Sequence, residues 1–342
     1  MKEVRKRILW VDIAKALAIL SVVLSHTMPI DWPLRTAIFS FHMPLFFILS
    51  GYTTKLATDW PKFRSRLKRN FKGLILPTVA VLMVFSFLHT LGQGNIFDYF
   101  KNLFQLSFGF LSIAKPVDYS NSAAATWFLI ALFIAKTVMD VVNVAFKTEK
   151  NGVIFVLLGL FGVFMGTLGI FLPFYLDLGL ASILFVYTGM LWRKYQAKID
   201  QFTPLIVVVA GIFWFANVAR GVFIEMFIRR YVGLELSILT AFAGTFLVSE
   251  FSKVLAESMK KSNKIYKKAM SVISTLGQNT LLLLFAHCLD EAAIMKIWDL
   301  RTGSPWTKES VFITCILRLL FDFVGFFALF YLKKVINKRK KA

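Results

Sequence analysis

Cysteine is nearly missing from this 342-residue chain: Cys288 and Cys315 are the only two, and both fall in apolar segments. That excludes a disulfide framework or a cysteine cluster spaced for a metal, and gives no sign of redox chemistry. Charge is scarce too. Asp, Glu, Lys and Arg together make up 17% of the residues and only 19 are acidic, against 57% hydrophobic residues and a mean hydropathy of +0.67. An ordinary soluble domain is excluded by that balance. No internal repeat and no low-complexity tract is visible, and no polar stretch is long enough for a sizeable soluble domain.

What the chain has in abundance is apolar length. Phe occurs 37 times, and apolar runs of about 17 to 25 residues, the length that crosses a hydrocarbon core, recur throughout. The runs predict spans near 8–28, 34–54, 73–91, 123–145, 152–171, 174–192, 204–220, 231–250, 272–290 and 311–332. The ninth is the least continuous, since its apolar core covers only 281–289 before Asp290 and Glu291. The expected fold is therefore all-α: one polytopic domain over residues 1–342, a bundle of about ten transmembrane helices. The basic stretch 2–7 before the first run resembles the start of a signal peptide. Asp12 and Lys15 interrupt that run and no small-residue cleavage site follows, so it reads as the first membrane helix.

A net charge of +21 would point to nucleic acid in a soluble protein, but here the basic residues sit between apolar runs. Sorted by alternate sides, 28 Lys and Arg fall on one side and 9 on the other. The positive-inside bias then puts both termini in the cytoplasm of a cell membrane. The partner this implies is the lipid bilayer, not nucleic acid, and the basic segments 55–72 and 251–271 read first as attracted to anionic lipid. The stretch 92–122 falls outside, and its aromatic-rich part around 96–111 suits an amphipathic interfacial helix.

Four histidines occur, His26, His42, His89 and His287, and this topology places all of them toward the outer side. Ionisable groups within spans are costly and usually face a polar cavity, so the grouping suggests an outward-leaning site; four unrelated interfacial histidines would look the same. Lys15 and His26 are eleven positions apart, a rotation of about 1,100° at 100° per residue, so they share a helix face about 16 Å apart along its axis. That suits an anion held at one end and proton transfer at the other. Asp12, three residues before Lys15, offers a purely structural partner. Four-residue spacing also predicts the pairs Arg318 with Asp322, deep enough to line a cavity, and Lys136 with Asp140, which reads as a tie between helices.

Several segments resemble the integral membrane acyltransferases of the acyltransferase-3 family, in particular its fucose 4-O-acetylase-like branch. Lys15, ten intervening positions and His26 resemble that family's basic residue and histidine, with Lys where many relatives have Arg. The closest likeness is Phe41-His42-Met43-Pro44-Leu45-Phe46-Phe47 with Ser50-Gly51-Tyr52. Arg66, Arg69 and Lys72 before Pro77, Trp127-Phe128-Leu129, and Gly277-Gln278-Asn279-Thr280 with His287 follow in the family's order, although Gly73 stands where Arg is frequent.

The resemblance implies transfer of an acyl group, usually acetyl, from cytoplasmic acyl-CoA to a hydroxyl of an extracytoplasmic or exported carbohydrate. His26 would be the general base, with His287 and His42 as its orienters or acceptor contacts. Lys15, Arg66, Arg69 and Lys72 would hold the CoA phosphates, Trp127 and Arg318 would complete the substrate site, and acetyl-CoA or another acyl-CoA would be the donor, with no metal. A succinyl donor, or a glycan transporter or flippase without acyl transfer, are the alternatives. Inverted repeats with broken helices, which many transporters show, are not visible. Acceptor, acyl chain and oligomeric state are not legible.

Overall fold

Helix dominates the computed structural model, which describes residues 7–27, 32–90, 95–108, 110–112, 115–116, 125–148, 150–290 and 308–339. The first span is α1 (Leu9–Thr27). The second, Pro33–Tyr52, is α2 (Pro33–Phe39) and α3 (His42–Tyr52) joined through a turn at Ser40 and Phe41. Pro33 opens α2, where its missing N–H costs nothing.

The basic segment 55–72 is a loop only as far as Asp59. It forms α4 (Trp60–Asn70), capped by the Asp59 side chain accepting from Lys62 N at 2.8 Å, and runs through a π-helical turn (Phe71–Ile75) into α5 (Leu76–Thr90). Pro77 lies just beyond that turn. It cannot donate to the carbonyl four residues back, and the chain widens there instead of breaking. The helix expected in 92–122 is α6 (Ile96–Phe108), with Ile96, Phe97, Phe100 and Phe104 exposed. The rest of that stretch is described only at β1 (Phe110–Ser112) and β2 (Lys115–Pro116).

Next come α7 (Trp127–Phe146), α8 (Asn151–Thr167), α9 (Leu176–Gln201) and α10 (Thr203–Ala219). A small hairpin, β3 (Ile224–Glu225) and β4 (Arg230–Tyr231), precedes α11 (Glu235–Lys261). The last helices are α12 (Lys264–Gln278), α13 (Thr280–Asp290) and α14 (Lys308–Arg339).

Seven of the described helical segments are long and apolar enough to cross a membrane. The expected ninth span is a broken one: α12 and α13 meet at 73° across Asn279 and together make an eighth candidate. With only 11 residues, α13 is about 16 Å long and cannot cross alone. α8 and α10 have 17 residues each, about 25 Å, at the short end of what spans hydrocarbon. An expectation of ten spans depends on counting both.

The core sits around α9, which packs on α3, α7 and α8. Leu45, Phe47, Ile48, Leu129, Ile183 and Phe185 are buried there. α3 and α9 approach backbone to backbone: a Cβ on Gly51 would overlap the Val186 carbonyl, and one on Gly189 the Ile48 carbonyl. Outward faces are equally apolar, with Leu157, Ile212, Phe215, Val324 and Phe327 exposed. Helices apolar on both faces fit burial in protein on one side and lipid on the other.

An ion pair that the sequence did not announce pins the β3–β4 hairpin. Arg229 Nε and Nη2 donate to Asp177 Oδ2 and Oδ1 at 2.7 and 3.1 Å, and Nη1 donates to Phe227 O. Both side chains are buried, and Arg229 accepts a left-handed backbone (φ 58°) to reach its partner. Burial pushes the nearby Tyr231 hydroxyl up from its ordinary value, so that ring stays neutral. Arg229→Ala would leave Asp177 charged and unpaired, and removing one partner of a buried pair costs about 3 to 5 kcal/mol. Thermal unfolding in detergent should show a clearly lower Tm for Arg229→Ala, with part of the loss recovered by Arg229→Met combined with Asp177→Leu.

Candidate active site

Three of the four histidines meet. His26 from the last turn of α1, His42 from the first turn of α3 and His287 from α13 line one cavity together with Phe39, Trp127 and Glu225. The side chain of His89 lies outside the described residues. The His26 and His287 rings are 5.5 Å apart between centroids, and Phe39 sits 6.2 Å from His26 and 4.8 Å from His42. Trp127, the first residue of α7, packs 6.2 Å from Phe47 and 6.3 Å from Phe227.

The three imidazoles differ in their ties. His42 Nδ1 donates to Ile38 O at 2.8 Å, so its Nε2 is an acceptor. His287 Nδ1 lies 2.9 Å from Asp322 Oδ2 on α14, which likewise places the proton on Nδ1 and leaves Nε2 as acceptor. Among the described residues no hydrogen bond reaches the His26 ring, so both of its nitrogens are open to substrate.

The predicted pairing of Arg318 with Asp322 gives way to bonds between helices. Arg318 Nε donates to Asp290 Oδ2 at 2.6 Å and its Nη1 to the His26 carbonyl at 2.9 Å, while Asp322 takes His287. Cys315 Sγ donates to the Thr27 carbonyl. α14 thus satisfies two carbonyls left open by the end of α1, and a cation beside that end complements the helix dipole. Arg318 is buried in this network and is not among the cavity-lining residues. α12 steadies the same helix: a Cβ on Gly277 would overlap the Asp12 carbonyl, and Gln278 accepts from Arg7.

His287, Asp290 and Asp322 place three potential ligand atoms within 4.8 Å of one another. A cation would fit that set by distance. Arg318 already supplies the positive charge at Asp290, and the His287 Nδ1 proton already fills Asp322 Oδ2.

At the other end of the Lys15–His26 face, cations collect. The charges of Arg66, Lys15 and Arg69 all act on Lys136, a residue of α7 first read as a structural partner of Asp140. Asp140 instead accepts from Arg66 Nε at 2.7 Å and from Ala57 N at 2.8 Å. Arg66 therefore ties α4 to α7 as well as contributing charge. Arg69 is exposed, and Lys72 is exposed on the π-helical turn.

Asp290 and Glu225 are the functional candidates that sequence reasoning passed over; Asp322 and Lys136 it read only as partners in ion pairs along their own helices. Asp290 was visible as a charge at the end of an apolar run; Glu225 carried no signal, because it stands in a connection between apolar runs without a motif.

A family model described as an acyltransferase domain, of the acyltransferase-3 type, matches residues 8–340. The chain belongs to the acyltransferase-3 family. No curated protein and no solved structure matches it. Membership carries the general reading of a multi-pass membrane acyltransferase, and an acyl donor with it.

Proposed function

We propose that this acyltransferase-3 protein is an O-acyltransferase of the fucose 4-O-acetylase-like branch, transferring acetyl from cytoplasmic acetyl-CoA to a hydroxyl of an extracytoplasmic or exported carbohydrate. The observation that carries the reading is the division of one helix face: Lys15 among cations at one end of α1, His26 in a histidine-lined cavity at the other. The donor's anionic phosphates would be held as charge-assisted pairs by Lys15, Arg69, Lys136 and the free edge of Arg66, with Lys72 at the approach. The acyl thioester then reaches the cavity, where His26 removes the proton of the acceptor hydroxyl as it attacks the thioester carbonyl. The thiolate of CoA leaves toward the cytoplasm. His42 and His287, each with a fixed tautomer, orient the acceptor, and Trp127 walls the site.

A second assignment of the base rests on one contact. A carboxylate on Nδ1 orients an imidazole and stabilises the imidazolium formed when Nε2 takes a proton, and among the described residues only His287 has one, Asp322. In that reading His287 is the base and His26 faces the donor. Purified protein in lipid vesicles, offered labelled acetyl-CoA or succinyl-CoA and a glycan mixture, tests the function. Label should pass from acetyl-CoA to glycan; preferential use of succinyl-CoA would change the acyl group, and no transfer from either would sink the reading.

Two expectations accompany it. Lys15→Ala, or Arg69→Ala combined with Lys72→Ala, should raise the KM for acetyl-CoA about tenfold or more with little change in kcat, since charge-assisted bonds contribute about 1.5 to 3 kcal/mol. Unchanged donor kinetics in both would return these residues to a topological role. For orientation, the excess of 28 basic residues over 9, taken with the count of ten spans that includes α8 and α10, supports both termini inside. In a background without native cysteines, Asn95→Cys should react with an impermeant thiol reagent on intact cells and Ser262→Cys should not. The opposite pattern would invert the topology.

A further inference from the structure

Among the described residues, the lining of the histidine cavity includes one carboxylate, Glu225, and no lysine or arginine. Glu225 is only 7% exposed and sits in β3, on the hairpin fixed by the Arg229–Asp177 pair. Its one hydrogen-bond partner among the described residues is Arg35, whose Nη2 lies 3.5 Å from Oε1, a long contact. Arg35 stacks over the Phe39 ring at 4.2 Å, outside the cavity lining. Oε2 therefore keeps its acceptor capacity on the lining of the cavity. A ligand hydroxyl that donates to it there gains a charge-assisted hydrogen bond.

We propose that Glu225 is the acceptor-recognition residue, taking hydrogen bonds from hydroxyls of an uncharged sugar whose apolar C–H surface packs on Trp127 and Phe227. The class follows from charge. A uronate would bring a second carboxylate beside Glu225 at low dielectric, and like charges there repel strongly. Arg35 already balances the charge of Glu225, so a neutral donor is matched better than an ammonium group. This rests on the carbohydrate reading above and narrows it to sugars without an acidic group.

Saturation-transfer NMR on the full chain in detergent, with methyl glucoside, methyl galactoside and methyl glucuronide as probes, tests it. Wild-type protein should bind one of the neutral glycosides at least about tenfold more tightly than the glucuronide, the size of one charge-assisted bond. Glu225→Gln should lose most of that discrimination, and Glu225→Leu should lose neutral-sugar binding. If the leucine variant fails to fold by thermal unfolding, the glutamine variant carries the test alone. Equal binding of glucuronide and neutral glycosides, no neutral-sugar binding, or discrimination kept in Glu225→Gln overturns the assignment. Release of acetate from labelled acetyl-CoA by the wild type is measured in parallel. Acyl release without sugar discrimination rejects Glu225 and leaves the acyltransferase; discrimination without acyl release or transfer rejects the acyltransferase and leaves a sugar site.

Discussion

His26→Ala is expected to lower acyl transfer by about 10² to 10⁴ while the protein still inserts and unfolds at a normal temperature, the range that a positioned base supplies. The ring stands at the end of α1 with no hydrogen bond to it among the described residues, while the backbone beneath it is fixed by Arg318 and Cys315. Replacing the side chain removes its ring contacts with Phe39 and His287 but, among the described residues, no hydrogen bond to another helix. His89→Ala, outside every matched motif, is the control and should cost far less. Transfer at the wild-type rate in His26→Ala would eliminate it as the base. Equal large losses at His26 and His89 would point to damaged folding.

Asp322→Asn should separate the two assignments of the base. Asp322 and His287 share a 2.9 Å hydrogen bond in a buried setting, so they should act as one unit. His287→Ala and Asp322→Asn are each expected to lower kcat by about 10² or more, with the double variant no worse than His287→Ala alone, because groups acting as a unit are not additive. An asparagine there favours the wrong tautomer. A loss near 10⁴, the size seen when a triad carboxylate is so changed, would make His287 the base. Additive losses would show that the contact has no catalytic meaning.

The helical membrane class was legible because apolar length runs along the chain, and spacing on one helix put Lys15 and His26 on one face; topology grouped all four histidines on one side, and only the family resemblance singled out His26, His42 and His287. Spacing failed where neighbours are set by packing. Four-residue spacing paired Arg318 with Asp322 and Lys136 with Asp140, yet each carboxylate found a partner on another helix: His287 for Asp322 and Arg66 for Asp140. A helix offers its own i+4 residue weakly, by a few tenths of a kcal/mol, whereas a buried charge needs compensation of several kcal/mol. Whichever residue packing brings nearest therefore wins. The break at Asn279 was visible only as a short apolar core in the ninth run, and the helical continuity of 60–75 was hidden by its charge. Glu225 and Arg229 belong to a short connection, whose geometry, including the reach of Arg229 to Asp177 on α9, follows from the bundle rather than from local pattern.

The proposed acylation of a carbohydrate hydroxyl outside the cytoplasm is tested most directly by mass spectrometry of surface glycans from cells with and without the gene. An acetyl ester on a sugar is expected with the wild-type gene and should be missing both without it and with His26→Ala. Identical glycan masses in all three, from cells shown to hold the folded protein, would contradict it.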